Sequence, residues 1–179
     1  MRKEVRLSGS GGQGLILAGI ILAEGAILSN LNSVQTQSYG PEARGGASKA
    51  EVIISDGEIN FPKVREADIL LSLTQKSFDE YSHTIKKDGI IIIDSTVDEK
   101  NIDTKNAKVI KVPIINSSKE KLGKIMVANI VALGVISETI EGVDNEMLKK
   151  AILARVPKGT EELNENAFEL GRSLVSYAY

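Results

Sequence analysis

Three glycines near the start of the chain have the spacing of an anion-binding turn. Gly9, Gly11 and Gly14 satisfy G-x-G-x-x-G, and they lie between a short β-prone run at residues 5–7 and a long apolar stretch. Such a turn exposes backbone N–H groups at the positive end of a helix dipole, where an anionic group can approach. The pattern predicts a phosphate or carboxylate site formed by Gly9, Gly11, Gly12, Gln13 and Gly14.

The same glycines also have a purely structural explanation. Glycines at a strand-to-helix turn permit tight backbone geometry and close packing of the helix on the sheet without any ligand. A conventional NAD site further requires an acidic residue about 20 residues onward, at the end of the second strand. Residues 33–38 contain no acid, so classical NAD binding is disfavoured. The anion site and the structural explanation both stay open.

A second candidate loop follows the second predicted strand. Its arginine could donate paired hydrogen bonds to a carboxylate or phosphate, and its Gly-Gly pair would let the backbone lie against a ligand or another protein. The alternative is a surface ion pair between Arg44 and Glu42, with glycines that only turn the chain. The residues predicted to form this partner or active-site loop are Tyr39, Gly40, Pro41, Glu42, Arg44, Gly45 and Gly46.

The elements that must position both loops alternate between strands and helices. Four consecutive isoleucines at residues 90–93 indicate a strand covered on both faces, as in the middle of a parallel sheet. The predicted strands are residues 5–7, 32–37, 51–54, 69–73, 90–93 and 109–114. The predicted helices run from the glycine turn to Ser29, over 75–85, from a cap at Ser117 or Ser118 to Ile140, and over 146–155 and 161–177.

This pattern predicts the architecture and the place of the two loops. We expect an α/β fold with three α/β/α layers, a doubly wound and mostly parallel sheet, and a helical C-terminal third, all in a single domain over residues 1–179. If the first two strands are parallel neighbours joined by the first helix, both loops leave the carboxyl edge of the sheet. They would then share one site.

Composition and charge exclude several other functions. The 22 basic and 24 acidic residues give a net charge of −2, with no basic stripe, so we expect no nucleic-acid partner. The absence of cysteine excludes a thiolate nucleophile and an all-cysteine iron–sulfur site on this chain. The most apolar stretch, residues 15–28, is shorter than the roughly 20 residues that cross a bilayer. With no export signal at the start, we expect a cytoplasmic protein without a membrane partner.

Two polar residues stand out within predicted helices. Asn129 lies in a helix otherwise rich in isoleucine, valine, alanine and leucine, which predicts that it bridges buried backbone or subunit contacts and takes no part in chemistry. His83, the only histidine, lies near the end of an amphipathic helix beside Thr84 and two lysines and is predicted to be solvated. We therefore predict no catalytic residue and no metal ligands on this chain.

Two segments together resemble a known family. Gly-Gly-Gln-Gly at residues 11–14 and the run Gln-Thr-Gln-Ser-Tyr-Gly-Pro-Glu-Ala-Arg-Gly-Gly at residues 35–46 resemble the gamma subunit of 2-oxoacid:ferredoxin oxidoreductases, and most closely the 2-oxoglutarate branch. Pyruvate-type gamma subunits carry a more aromatic loop before the arginine, and indolepyruvate-type subunits usually lack the Tyr-Gly-Pro-Glu run. Residues 52–55, 61–64, 67–68, 129–134 and 164–171 are also similar.

The resemblance implies a role in a complex that oxidatively decarboxylates 2-oxoglutarate to succinyl-CoA, or runs the reverse reaction. Thiamine diphosphate, Mg²⁺ and iron–sulfur clusters are then held by companion alpha-, beta- and delta-type subunits, and ferredoxin exchanges electrons with the complex. This chain is expected to be inert alone, to shape the active-site entrance, and to contact coenzyme A through the glycine turn and Arg44. The alternative is a stand-alone nucleotide-binding module or NAD(P)-linked dehydrogenase, which rests on the glycine pattern alone.

Overall fold

A computed structural model describes residues 1–38, 47–100 and 104–176. Within them the strands are β1 Arg2–Gly9, β2 Asn32–Ser38, β3 Ser48–Ser55, β4 Ala67–Ser72, β5 Ile85–Asp94 and β6 Lys108–Val112. The α-helices are α1 Leu15–Leu28, α2 Gln75–Tyr81, α3 Ile114–Leu122, α4 Ala128–Ser137, α5 Asn145–Arg155 and α6 Glu161–Ser176. Every predicted strand is present, although several begin or end a few residues away from the predicted bounds.

The six strands form one sheet in the order β2-β3-β1-β4-β5-β6. Strands β1, β4, β5 and β6 are parallel to one another, whereas β3 runs antiparallel to both β1 and β2. The prediction of an α/β fold with a mostly parallel sheet and a helical C-terminal third is therefore confirmed.

The expected adjacency of the first two strands is wrong, because β3 lies between β1 and β2. Strand β3 follows β2 along the chain and pairs with it antiparallel, an arrangement that needs only a short connection. Gly9 of β1 is opposite Ser48, and Ser38 of β2 is opposite Lys49. Since β1 and β2 both run against β3, their carboxyl ends still share one edge of the sheet, about 10 Å apart at two strand spacings.

Apolar side chains cover both faces of the sheet. On one face Leu7, Val52 and Ile92 belong to a large buried cluster with the helices α1, α4, α5 and α6. On the opposite face Leu70 and Ile91 belong to a smaller cluster that includes Phe78 of α2. The sheet therefore has helices on both sides, but most of them lie on the face that carries α1.

The predicted helix from Ser117 or Ser118 to Ile140 is wrong, because the chain forms two helices there. Helix α3 already begins at Ile114, so both serines are buried inside it and neither caps its start. Gly123 ends α3 with a φ of 66°, a left-handed conformation that favours glycine, and a 3₁₀ turn leads into α4.

Two other predicted helices differ at their ends. The helix predicted over 75–85 ends at Tyr81 and is followed by a 3₁₀ turn, and α6 is described as far as Ser176. Tyr177, the predicted end of the last helix, lies outside the described residues. In the part of the chain that the structure describes, none of the helices combines the length and apolar character needed to span a bilayer.

Candidate functional site

The glycine turn joins the end of β1 to the start of α1, as predicted. Gly12 and Gly14 have φ values of 83° and 71°, in the left-handed region that side chains disfavour. Gly14 immediately precedes the first helical residue, and its carbonyl oxygen accepts a hydrogen bond from the Ala18 N–H at 3.0 Å. Backbone conformation alone therefore explains glycine at these two positions.

Gln13 closes the turn against the end of the strand. Its Oε1 atom accepts a hydrogen bond from the Ser10 N–H at 2.8 Å. The same oxygen occupies the place that a Cβ on Gly9 would take, and Leu15 Cδ1 would be 3.0 Å from that Cβ. A side chain at position 9 would therefore displace the Gln13 amide that closes the turn.

Gly11 differs from the other glycines of the turn. It is exposed, its φ is not positive, and a Cβ placed on it would meet no described atom within 4 Å. Neither backbone strain nor packing among the described residues requires glycine at this position. A purely structural role therefore does not account for glycine at position 11 of the G-x-G-x-x-G pattern. The open space above Gly11 would allow a ligand to approach the turn.

The start of α1 is electrostatically suited to an anion. Among the described residues no side chain caps this helix end, and the first turn contains no acidic residue. The N–H groups of the first helical turn have no partner within the helix, and the helix dipole makes this end positive. A groove of about 430 Å³ lies beside the turn, lined by Ser10, Gly12, Gln13, Leu15, Ile16 and Ser48 among others.

Ser48 connects this groove to the second predicted loop. The residues of that loop, Tyr39, Gly40, Pro41, Glu42, Arg44, Gly45 and Gly46, lie outside the described residues. The chain leaves the sheet at Ser38 and has returned to it at Ser48, which lies opposite Gly9 and lines the groove. The glycine turn and both ends of the loop are therefore at one edge of the sheet, while the contact between Arg44 and a ligand stays a prediction.

Asn129 also contacts the glycine turn, although sequence reasoning did not place it in the site. Its Nδ2 atom donates a hydrogen bond to the Gly14 carbonyl oxygen at 3.2 Å, and only 5% of the residue is exposed. The prediction that Asn129 bridges buried backbone is confirmed. The partner is 115 residues away in the sequence, so no local pattern could have identified it.

An apolar groove of about 380 Å³ adjoins the turn. Leu17 of α1 lines both grooves, and the apolar one continues between α4, the start of α6 and the chain that precedes α4. Its remaining apolar lining residues are Met126, Val127, Ile130, Val156, Pro157 and Leu163. Met126, at one end of this lining, is 84% exposed.

The titratable groups with unusual surroundings lie elsewhere. Burial raises the pKa of the Tyr81 phenol, but Tyr81 packs near Arg6 and Lys49 at the other face of the sheet, with charged atoms 5.6 and 5.4 Å from its ring centre. His83 is exposed, as predicted. Within residues 1–38, 47–100 and 104–176, no three His, Asp or Glu side chains are grouped so that they could hold a metal ion. The chain contains no cysteine, so it offers no thiolate ligand to an iron–sulfur cluster.

Comparison with known proteins identifies the family. Residues 4–174 match the pyruvate ferredoxin/flavodoxin oxidoreductase family, and the chain belongs to it. The subunit KorC of 2-oxoglutarate synthase from Methanocaldococcus jannaschii is 50% identical over 173 residues, which cover 96% of this chain and 92% of that protein. The resemblance seen in residues 11–14 and 35–46 is therefore confirmed.

Solved structures agree with the fold and the subunit type. The gamma subunit of a keto/oxoacid ferredoxin oxidoreductase from Geobacter sulfurreducens is 46% identical, with a TM-score of 0.87 over 98% of this chain and 99% of that one. A 2-oxoglutarate:ferredoxin oxidoreductase from Magnetococcus marinus, solved with 2-oxoglutarate, coenzyme A and succinyl-CoA, shares the fold at 18% identity and a TM-score of 0.85. The match covers 99% of this chain and 32% of that longer chain. The chain is thus of the gamma type.

Proposed function

We propose that this chain is the gamma subunit of a cytoplasmic 2-oxoglutarate:ferredoxin oxidoreductase. The observation that carries the proposal is the 50% identity to a 2-oxoglutarate synthase subunit over nearly the full length of both chains. The complex would convert 2-oxoglutarate and coenzyme A to succinyl-CoA and carbon dioxide with transfer of electrons to ferredoxin, or run the reverse reaction. The family assignment favours this function over a stand-alone NAD(P)-linked dehydrogenase.

The chemistry is proposed to reside on companion subunits. Thiamine diphosphate, when bound there with Mg²⁺, supplies the carbanion chemistry, and iron–sulfur clusters carry electrons to ferredoxin. The 179 residues of this chain include no cysteine, so they offer no thiolate to a cluster. The companions would be the alpha-, beta- and delta-type subunits, and this chain, as one domain over residues 1–179, would be inert without them.

We infer that the glycine turn receives an anionic group of coenzyme A. The uncapped positive end of α1 and the exposed, unobstructed Gly11 support an approach by phosphate. The loop from Tyr39 to Gly46 would complete the rim of the active-site entrance, with Arg44 as a second donor to the anion. Gly9, Gly12, Gln13 and Gly14 would give the turn its shape.

A charge placed on Gly11 tests this contact. We expect Gly11→Asp in the assembled complex to raise the KM for coenzyme A about tenfold or more over Gly11→Asn, which corresponds to ~1.4 kcal/mol of lost binding. The asparagine variant has nearly the same shape without the charge. The KM for 2-oxoglutarate should stay within about twofold in both variants, because only the anion at the turn meets the new carboxylate. Equal KM values for coenzyme A in the two variants would show that the glycine turn does not bind the anionic group of coenzyme A.

A further inference from the structure

The carbonyl group of Gly14 is held by two hydrogen bonds. The Ala18 N–H donates the first helical bond of α1 to it at 3.0 Å, and Asn129 Nδ2 donates a second bond at 3.2 Å. A Cβ on residue 14 would lie 2.6 Å from that Nδ2 atom, so Asn129 can approach only because a glycine is present. The contact therefore depends on both residue types.

Fixing this carbonyl also fixes the N–H group on the other side of the peptide bond. The peptide unit is planar and trans, so the Gly14 carbonyl and the Leu15 N–H point in opposite directions. The carbonyl points into the protein toward Asn129, and Leu15 is the first residue of α1. The Leu15 N–H is consequently directed toward the N-terminal side of the helix, where the turn opens and an anion would bind.

Asn129 is itself held in place by its helix. Its Oδ1 atom accepts a hydrogen bond from the Ile130 N–H at 3.0 Å, so both ends of the amide are engaged. All ten residues of α4 are buried. In addition, Gly134 of α4 packs at backbone distance from Gly171 of α6, where a Cβ on either glycine would lie 2.9 Å from the Cα of the other. Asn129 thus projects from one of the best-anchored parts of the fold.

We propose that Asn129 is a positioning residue that sets the direction of the first N–H groups of α1. It acts from α4 through the Gly14 carbonyl and does not itself contact the ligand. The identity of that ligand, an anionic group of coenzyme A, rests on the proposed function. The positioning role concerns the geometry of the turn and can be tested without any ligand.

The sharpest variant is Asn129→Leu, which is similar in size and removes the donor without adding charge. Asn164→Leu is a matched control, because Asn164 is also 5% exposed and lines the same apolar groove. Its Nδ2 atom donates to the Thr160 carbonyl oxygen at 2.8 Å and to the Thr160 hydroxyl at 3.0 Å, and among the described residues it makes no hydrogen bond to the glycine turn. A second variant, Asn129→Ala, removes the donor with less risk of overpacking.

Hydrogen–deuterium exchange in the assembled complex without coenzyme A measures the positioning role directly. We expect Asn129→Leu to speed exchange of the hydrogen-bonded amides of the turn, those of Ser10, Gln13 and Ala18, about tenfold, while α4 remains protected and Asn164→Leu leaves these amides unchanged. Unchanged exchange of these three amides would overturn the proposal. Loss of protection throughout α4 in both Asn129 variants would also overturn it, in favour of a general packing role.

Kinetics of the same variants separate this proposal from the function on which it rests. We expect Asn129→Leu to raise the KM for coenzyme A about three- to tenfold, with kcat and the KM for 2-oxoglutarate within about twofold, because a misdirected N–H weakens binding of the anion only. Faster exchange at the turn with an unchanged KM for coenzyme A would support the positioning role and contradict the proposed coenzyme contact. The two failures are therefore distinguishable.

Discussion

Gly171 of α6 and Gly134 of α4 face each other so closely that neither position has room for a side chain. A Cβ on Gly171 would lie 2.9 Å from the Gly134 Cα and would overlap the carbonyl oxygen of Val131. The two helices therefore touch through their backbones. This close crossing anchors α4, and α4 carries the asparagine that holds the glycine turn.

Gly171→Ala should strongly destabilise the protein. The added methyl must push the two backbones apart, and overpacking of this kind costs about 1–3 kcal/mol or more. Gly57→Ala is the matched control, because Gly57 is exposed and a Cβ there would have its nearest neighbour at 4.0 Å. That variant should stay within about 0.5 kcal/mol of the parent. Urea unfolding measures both, and equal stabilities of the two variants would show that the crossing tolerates a side chain.

Arg6→Met should lower the free energy of unfolding by much more than a variant that removes an exposed ion pair. Arg6 contacts Glu51 at 2.7 Å, and the two side chains are only 4% and 12% exposed. Removing the arginine leaves Lys49, at 3.2 Å, as the remaining partner of the largely buried Glu51 carboxylate, and it takes the donor from the Val64 carbonyl oxygen. We therefore expect a loss of about 2–4 kcal/mol, below the full cost of an unpaired buried charge. Arg155→Met is the control, since its pair with Glu24 is 48% and 33% exposed and should contribute at most about 1 kcal/mol. Similar free energies of unfolding for the two variants would contradict this ranking.

The ion pair of Glu99 with Lys111 should stabilise the protein only above acidic pH. Lys111 Nζ donates to the Glu99 carboxylate at 2.9 Å, and this bond is the main reason that the pKa of Glu99 is lowered from its ordinary 4.5. A lowered folded-state pKa gives stability that is present above the ordinary value and is lost as the pH falls through the lowered value. Glu99→Gln should therefore reduce stability by up to about 1 kcal/mol at pH 7, and the difference should vanish in acid.

Unfolding by urea at several pH values, with Lys111→Met as a second way to break the pair, checks this dependence. Both variants should approach the stability of the parent as the carboxylate becomes protonated. A difference that grows toward low pH would have the wrong sign and would exclude the ion pair as its source.

The elements with strong local signals could be predicted from the sequence. Four isoleucines indicate the buried strand β5, and the glycines at 9, 11 and 14 mark the turn between β1 and α1. The break between α3 and α4 was missed because Gly123 interrupts an otherwise helical pattern through its left-handed backbone, and a single glycine is also tolerated inside helices.

Contacts between distant segments could not be predicted in the same way. Nothing in residues 48–55 indicates that β3 inserts between β1 and β2, because pairing is set by the whole sheet. The hydrogen bond of Asp94 is a second contact that the sequence does not indicate. This fully buried carboxylate accepts a hydrogen bond at 2.9 Å from the Ile115 N–H at the start of α3. The contact of Asn129 with Gly14 could not be predicted either, because these residues are distant in the sequence and meet only in the folded chain.

Arg44→Ala should impair use of coenzyme A without loss of folding. If Arg44 binds an anionic group, the variant complex should require about tenfold more coenzyme A for half-maximal rate, as expected for the loss of a charged hydrogen-bond donor. The alternative is a surface pair with Glu42, in which case the kinetics should not change. Glu42→Gln is the control, because it breaks such a pair and leaves the arginine. Unfolding curves of both variants should match the parent.

Reconstitution of the complex tests the central claim that this chain completes a catalytic centre it does not contain. Reduction of a viologen by 2-oxoglutarate and coenzyme A would be followed for the purified chain, for the companion subunits without it, and for the mixture. We expect no turnover by the chain alone and full turnover only by the mixture. Turnover by the purified chain, or companions that work equally well without it, would contradict the account.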